Sequence, residues 1–256
     1  MGLFNQYQKE GKGVSKNETT PRFLLFFRIF FRKFWQLISA NMLYVLFCIP
    51  IFTIGPATAG FTKIMRNYAR EEHAFIWGDF IETFKKNFLQ AFLFSLLDLG
   101  IFLFLWLDLN AIRNVPNQFL STLSLAAIFL SLTVWVFMRY YVYNMMITFR
   151  LTFRQLLKNA FIFCWAGFFR NLLLTAILVV VTLLLVQYVN IIYLFFILVT
   201  IYFSFCGLLI NFIINPLIKK YMIDGFDPKT GERLEDEKYE GFEEPDSRDE
   251  LDPDED

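Results

Sequence analysis

The stretch N171-LLLTAILVVVTLLLVQYVNIIYLFFILVTIYFSFCGLLINFIINPL-I218 decides the fold class. It holds 48 consecutive residues without a charged side chain, between Arg170 and Lys219. As one helix it would run about 72 Å, more than twice the roughly 30 Å of a hydrocarbon core. It therefore reads as two spans, 171–187 and 191–216. The polar cluster Gln187-Tyr188-Val189-Asn190 makes the turn between them.

The same pattern continues toward the N-terminus. From Asn87 to Met138 the chain is apolar except for Asp108-Leu-Asn-Ala-Ile-Arg113-Asn-Val-Pro116-Asn, which separates spans 88–108 and 118–139. The first apolar region, Phe34–Thr62, is interrupted by Pro50 and by Gly55-Pro56. Residues 36–53 can span. Residues 57–70 are short and carry Lys63 and Arg66, so they form either a short span or a half-helix that re-enters.

Charge favours the short span. With six crossings, seven Lys and Arg precede the first span, five lie between the second and third, five between the fourth and fifth, and six follow the last. Only Arg113 falls on the other face, which places both termini in the cytoplasm by the positive-inside rule. The expected fold is all-α: a polytopic membrane helical bundle of about six transmembrane helices, the second one short.

Composition agrees. Of 256 residues, 56% are AVILMFWYC, 34 are Phe and only 19% are charged. Mean hydropathy is +0.46. A soluble domain of this length could not hide so much apolar surface, and a disordered chain would not carry it. The net charge of zero conceals two halves. Residues 224–256 hold sixteen acidic and four basic residues, and the remainder is net +12. The domains expected are a polar segment 1–20, a transmembrane domain 21–220, and an acidic cytoplasmic tail 221–256, solvated and disordered. A nucleic-acid partner is not expected, because no basic soluble module is present.

Two segments read as interfacial helices. In residues 21–35, Arg22, Arg28, Arg32 and Lys33 share an arc of about 140°, with aromatic and aliphatic residues around the rest. In residues 75–88, Trp77, Phe80, Ile81, Phe84 and Phe88 oppose Asp79, Glu82, Lys85 and Lys86. The second segment resembles a later one. FIETFKKNFLQAF at 80–92 and FRLTFRQLLKNAF at 149–161 agree at five of thirteen positions. This predicts a second elbow helix at 147–160 and a parallel repeat of an elbow followed by a two-span hairpin.

Candidate chemistry is sparse. Asp98 sits mid-span, where a carboxylate costs several kcal/mol unless paired, hydrated or protonated. It reads as an ion- or proton-linked site, or as a packing contact with an Asn, a Tyr or another subunit. No Lys or Arg at its depth is expected to pair it within the chain. Pro50 and Gly55-Pro56 break the first hairpin, with Pro56 suited to open the next helix. Ala57, Ala59 and Gly60 allow close helix approach. Asn171 and other polar residues of the last two spans read as interhelical hydrogen bonds. His73 reads as solvated. Cys48, Cys164 and Cys206 form no C-x-x-C pair, so neither a disulfide framework nor a metal set is expected. No cofactor is expected, and without a P-loop, G-x-S-x-G or H-E-x-x-H an enzyme is not expected either.

The run Ile-Pro-Ile-Phe-Thr-Ile-Gly-Pro-Ala-Thr-Ala-Gly at 49–60, with Arg66 and Arg70 after it, resembles the YesL-like family of bacterial membrane proteins. Trp77-Gly-Asp79-Phe80 and Phe84-Lys-Lys-Asn87-Phe88 match the same pattern, over roughly residues 22–220. The resemblance implies a link to carbohydrate uptake, since similar proteins are often encoded beside sugar-importing ABC permeases. It supplies no catalytic motif, and the E-A-A loop of such permeases is absent here. The function expected is therefore a non-enzymatic accessory subunit of a carbohydrate ABC importer. Its partner contacts would come from the elbow helices (Trp77, Phe80, Phe84), the small-residue face, and permease subunits or a second copy. The alternatives are a self-sufficient small-solute transporter or channel using Asp98, or a membrane scaffold or sensor.

Overall fold

A computed structural model describes residues 21–112 and 116–223. The polar segment 1–20, Arg113 and the acidic tail from residue 224 lie outside the described residues. Within them the chain is all helical. In chain order the helices are α1 Arg22–Arg32, α2 Phe34–Cys48, α3 Ile54–Ala69, α4 Ile76–Lys86, α5 Phe88–Ala111, α6 Gln118–Thr148, α7 Phe153–Ala166, α8 Phe168–Tyr188, α9 Ile191–Ile197 and α10 Phe203–Ile218.

Four helical stretches are long and apolar enough to cross a membrane: Phe88–Ala111, Gln118–Thr148, Phe168–Tyr188 and Ile191–Met222. The first hairpin departs from its sequence reading on both sides of the turn: α2 ends at Cys48 rather than 53, and α3 starts at Ile54 rather than 57. Helix α2 has 15 residues and α3 has 16, about 23 and 24 Å of rise. Pro50 ends α2 and opens a 3₁₀ turn, Ile51–Thr53, that Thr53 closes with bonds to Phe47 O and Pro50 O. Pro56 stands third in α3 rather than first, still within the turn where its missing N–H costs nothing.

Three breaks share one geometry. Lys33 (φ −104°, ψ 15°), Asn87 (−106°, 13°) and Gly167 (−105°, 17°) each end an amphipathic helix and start an outbound one. Each is followed by a phenylalanine: Phe34, Phe88, Phe168. At each, the break N–H bonds back to the carbonyl four residues earlier, and its own carbonyl accepts from the residue four later. Burial repeats around them. Seven residues before the break sit Phe26, Phe80 and Ala160, and four before sit Ile29, Thr83 and Phe163. Four after sit Leu37, Ala91 and Asn171, and seven after sit Ala40, Phe94 and Leu174. All twelve are buried.

The chain is thus three copies of one unit, an elbow, an outbound helix and a return helix, at offsets of 54 and 80 residues. This corrects the two-copy register expected at 80–92 and 149–161. In that register Phe80 is an elbow residue while its match Phe149 caps the end of α6. The third elbow begins at Phe153, not at 147, because Thr152 and Gln155 form a reciprocal capping box there.

The units close into a ring. Position eight after each break is polar, Asn41, Ser95 or Thr175. Asn41 reaches the start of α10 and the turn before it, bonding Leu198 O, Val199 O and Ser204 N. Ser95 lies beside Gly55 of α3, with Oγ 2.8 Å from where a Cβ would stand. Thr175 bonds Tyr140 of α6 at 2.9 Å. Each outbound helix therefore leans on the return helix of the unit before it, and the first leans on that of the third. The return helices α3, α6 and α10 pack on one another in the middle.

The last return helix is not continuous, as the span 191–216 would suggest. A π turn, Leu198–Tyr202, joins α9 to α10. The Asn41 side chain inserts there, taking the carbonyls of Leu198 and Val199, which is a recognised way of opening the helical ladder.

Candidate functional site

The inner faces of the three return helices carry the polar side chains, and they are set at different depths. Helix α3 brings Thr58 and Thr62, α6 brings Trp135, Arg139 and Asn144, and α10 brings Asn211. Between them lies a cavity of about 300 Å³ lined by Thr58, Phe61, Arg139, Tyr140, Asn144 and Asn211, among others. A second cleft of about 430 Å³, between α3, α5 and α6, is lined by Ser95, Asp98, Phe102 and Ile51. The two share Tyr44, Thr58, Arg139 and Tyr143 as a common wall.

Asp98 is paired within the chain, contrary to the sequence expectation. Arg139 Nε stands 3.3 Å from Asp98 Oδ1, and Trp135 Nε1 donates to the same oxygen at 2.7 Å. Trp135 and Arg139 are one turn apart, so α6 presents both to α5 on one face. The Arg139 guanidinium also lies 5.6 Å from the Phe102 ring centroid. Span four was expected to end at 139, which would have put this arginine at the membrane edge. Helix α6 instead continues to Thr148, nine residues and about 14 Å further.

The pair is not sealed. The Asp98 side chain is 17% exposed and that of Arg139 is 41%. Arg139 uses Nε for the carboxylate, and the residue lines both cavities. Tyr44 stacks on Phe61 at 4.6 Å and bonds Thr58 at 3.3 Å.

Two amides complete the central cavity. Asn144 and Asn211 are each 2% exposed. Their Nδ2 groups bond back to Tyr140 O and Gly207 O of their own helices. Their Oδ1 atoms have no partner among the described residues. A buried acceptor left unpaired costs about 1–3 kcal/mol, so two such residues lining one cavity mark it as a place for water or a polar solute.

The other sequence candidates fall elsewhere. Gly55, Pro56, Ala57 and Gly60 are buried inside the chain. A Cβ at Gly60 would stand 2.8 Å from Phe80 O, and Gly55 meets the Ala91 backbone, so this face is used by α4 and α5. Phe80 is fully buried against it and Phe84 is half-buried. Trp77 is exposed, as is Pro50. Asn171 is buried and accepts from Tyr141 OH at 2.6 Å while donating to Cys164 O. No cluster of three or more His, Cys, Asp or Glu that could hold a metal occurs among the described residues.

Residues 37–109 match a protein family of unknown function, DUF624. The DUF624 match begins in α2 and ends in α5, so it includes Asp98 and the small-residue face but neither Arg139 nor Asn144. No curated protein matches the chain, and no solved structure does.

Arg139, Trp135 and Asn144 were missed from sequence, and Asn211 was read there as an interhelical hydrogen bond, whereas its amide bonds Gly207 O of its own helix. For the first two a signal existed: an aromatic N–H donor and a cation at i, i+4 on a helix that follows an intramembrane carboxylate. For the two asparagines nothing local distinguished them from the interhelical bonds expected of such residues.

Proposed function

We propose that this chain is a non-enzymatic membrane protein that binds a small polar solute in its central cavity and passes it through the bundle. The observation that carries this is the cavity itself. It lies where all three return helices meet, and Arg139, whose partner Asp98 lines the neighbouring cleft, lines it together with Asn144 and Asn211, whose amide oxygens have no partner among the described residues. The exterior supports the same reading, since α5, α6, α8 and α9 present large apolar side chains outward. Six crossings with both termini toward the cytoplasm fit the Lys and Arg distribution, with Arg139 moved from a loop into the bundle. Asp98 and Arg139 would exchange each other for the solute, so that an ion pair blocks the path when the cavity is empty.

A second reading keeps the carbohydrate link of the YesL-like resemblance and makes the chain an accessory subunit of a sugar ABC importer. One observation favours it. Helix α8 buries only Asn171 and Leu174, and α9 buries none of its residues, leaving Tyr188, Tyr193, Phe195 and Phe196 exposed along one hairpin. The small-residue face cannot serve that role, because it is covered within the chain.

The test is purification from the native membrane in mild detergent, with mass spectrometry of what accompanies the protein. The protein alone, showing a change in Trp135 fluorescence with one of a panel of monosaccharides, oligosaccharides or amino acids, supports the solute reading. Stoichiometric permease overturns it in favour of the subunit.

A further inference from the structure

A separate pocket opens at the end of the bundle where α1 begins and α3 and α10 end. It measures about 550 Å³. Arg22, Arg70 and Lys219 line it, with Glu72 as the one carboxylate among the residues that line it. None of the three cations makes an ion pair among the described residues. Asn215 also lines it, is 7% exposed, and has neither its amide nitrogen nor its amide oxygen bonded among the described residues. The first turn of α1 adds its own donors. Pro21 caps it without a side-chain bond, and no acidic residue occupies that turn.

Three cations and an uncapped helix start, beside a buried amide without partners among the described residues, make an anion site with the donors a phosphate group takes. The walls say what the phosphate is attached to. Leu25, Phe212 and Pro216 supply an apolar side, and Phe23, Leu24 and Phe31 of the same short helix point outward. A soluble phosphate has no use for such a rim, whereas a phospholipid needs one.

We infer that this pocket holds the phosphodiester headgroup of an anionic phospholipid from the adjoining leaflet, with its acyl chains along the outer face of α1. The lipid pins the elbow α1 to the ends of α3 and α10. The site is distinct from the central cavity and stands whether or not the solute reading holds.

The full chain, in nanodiscs of mixed phosphatidylglycerol and phosphatidylcholine, is extracted and its retained lipid counted by native mass spectrometry. The wild type retains phosphatidylglycerol in preference to phosphatidylcholine. Arg70→Gln with Lys219→Gln lowers phosphatidylglycerol retention about tenfold or more and leaves phosphatidylcholine retention unchanged. Equal retention of the two lipids by the wild type overturns the proposal without any variant, and so does unchanged retention in the double variant. Millimolar inorganic phosphate leaves the lipid in place, and displacement by it would assign the site to a free anion. The acidic tail is the remaining competitor. Neutralising Glu235, Asp236, Glu237, Glu243 and Glu244 to their amides leaves retention within twofold, and a rise of about tenfold would give the pocket to the tail instead.

Discussion

Helices α3 and α8 are both paired into hairpins of the same fold, yet they are built oppositely. Helix α3 carries Lys63, Arg66, two glycines and three threonine or asparagine side chains, and twelve of its sixteen residues are buried. Helix α8 is almost wholly Leu, Val, Ile and Ala after its first turn, and two of its twenty-one residues are buried. In water the more apolar helix would take the centre. Here the polar, small-residue helix does, which fits a bundle whose outer helices are apolar enough to cross a membrane, since lipid is as apolar as leucine and gives no reason to hide it. What places a helix at the centre is close approach and hydrogen bonding, and α3 supplies both.

The largest expected effect tests that contrast at one atom. Gly60→Leu adds a side chain whose first carbon meets Phe80 O, a backbone atom that cannot turn away. A loss of about 3 kcal/mol or more, seen as loss of folded protein in size-exclusion chromatography, is expected. Leu173→Ala, on the exposed face of α8, shifts thermal stability in detergent by less than about 0.5 kcal/mol. If the two variants behaved alike, the inside–outside assignment of α3 and α8 would fail.

Next comes Asn41→Leu. It preserves volume roughly but removes the bonds to Leu198, Val199 and Ser204 that shape the π turn. A cost of about 2–4 kcal/mol is expected, with faster amide exchange confined to 198–204. Uniform loosening of the whole chain instead would deny Asn41 its local role.

Asp98→Asn and Arg139→Gln sharpen the comparison within the core. Arg139 is substantially exposed, so the pair is worth far less than a sealed one. A double-mutant cycle should return a coupling of about 1 kcal/mol. Asp98→Asn should shift Trp135 emission, since its indole N–H loses its carboxyl acceptor. Emission identical to wild type would place Trp135 away from Asp98.

Much of this contrast was legible in sequence, and the remainder has physical reasons. The helical class, the break after Tyr188 and the elbow at 76–86 follow from charge and hydropathy runs, and the turn expected at 108–117 falls partly outside the described residues. The threefold repeat does not, because its units share burial at fixed distances from a break rather than residue identity. Phe26, Phe80 and Ala160 fill one position. In a chain with 34 phenylalanines, chance matches outweigh that signal and select the wrong register. The partner of Asp98 was hidden for a related reason. Arg139 lies where hydropathy ends a span, but the helix runs on to Thr148, so depth could not be counted from the apolar run alone.

The smallest effect concerns the third elbow, whose position the sequence misjudged. Cys164 lies on α7 with its side chain buried toward α6, and burial pushes its thiol above the ordinary range. The reactive species is the thiolate, so a raised value and poor access act in the same direction at neutral pH. In a chain with Cys48→Ala and Cys206→Ala, maleimide labelling of Cys164 should be at least tenfold slower in the folded protein than in denaturant. Thr152→Ala removes the capping box and about 1 kcal/mol from α7. Because the elbow is held by that cap at one end and by the Gly167 break at the other, the substitution should raise the labelling rate several-fold while the bundle stays folded. Rapid labelling in the intact chain would mean that α7 does not pack against α6, and the third unit of the ring would be lost with it.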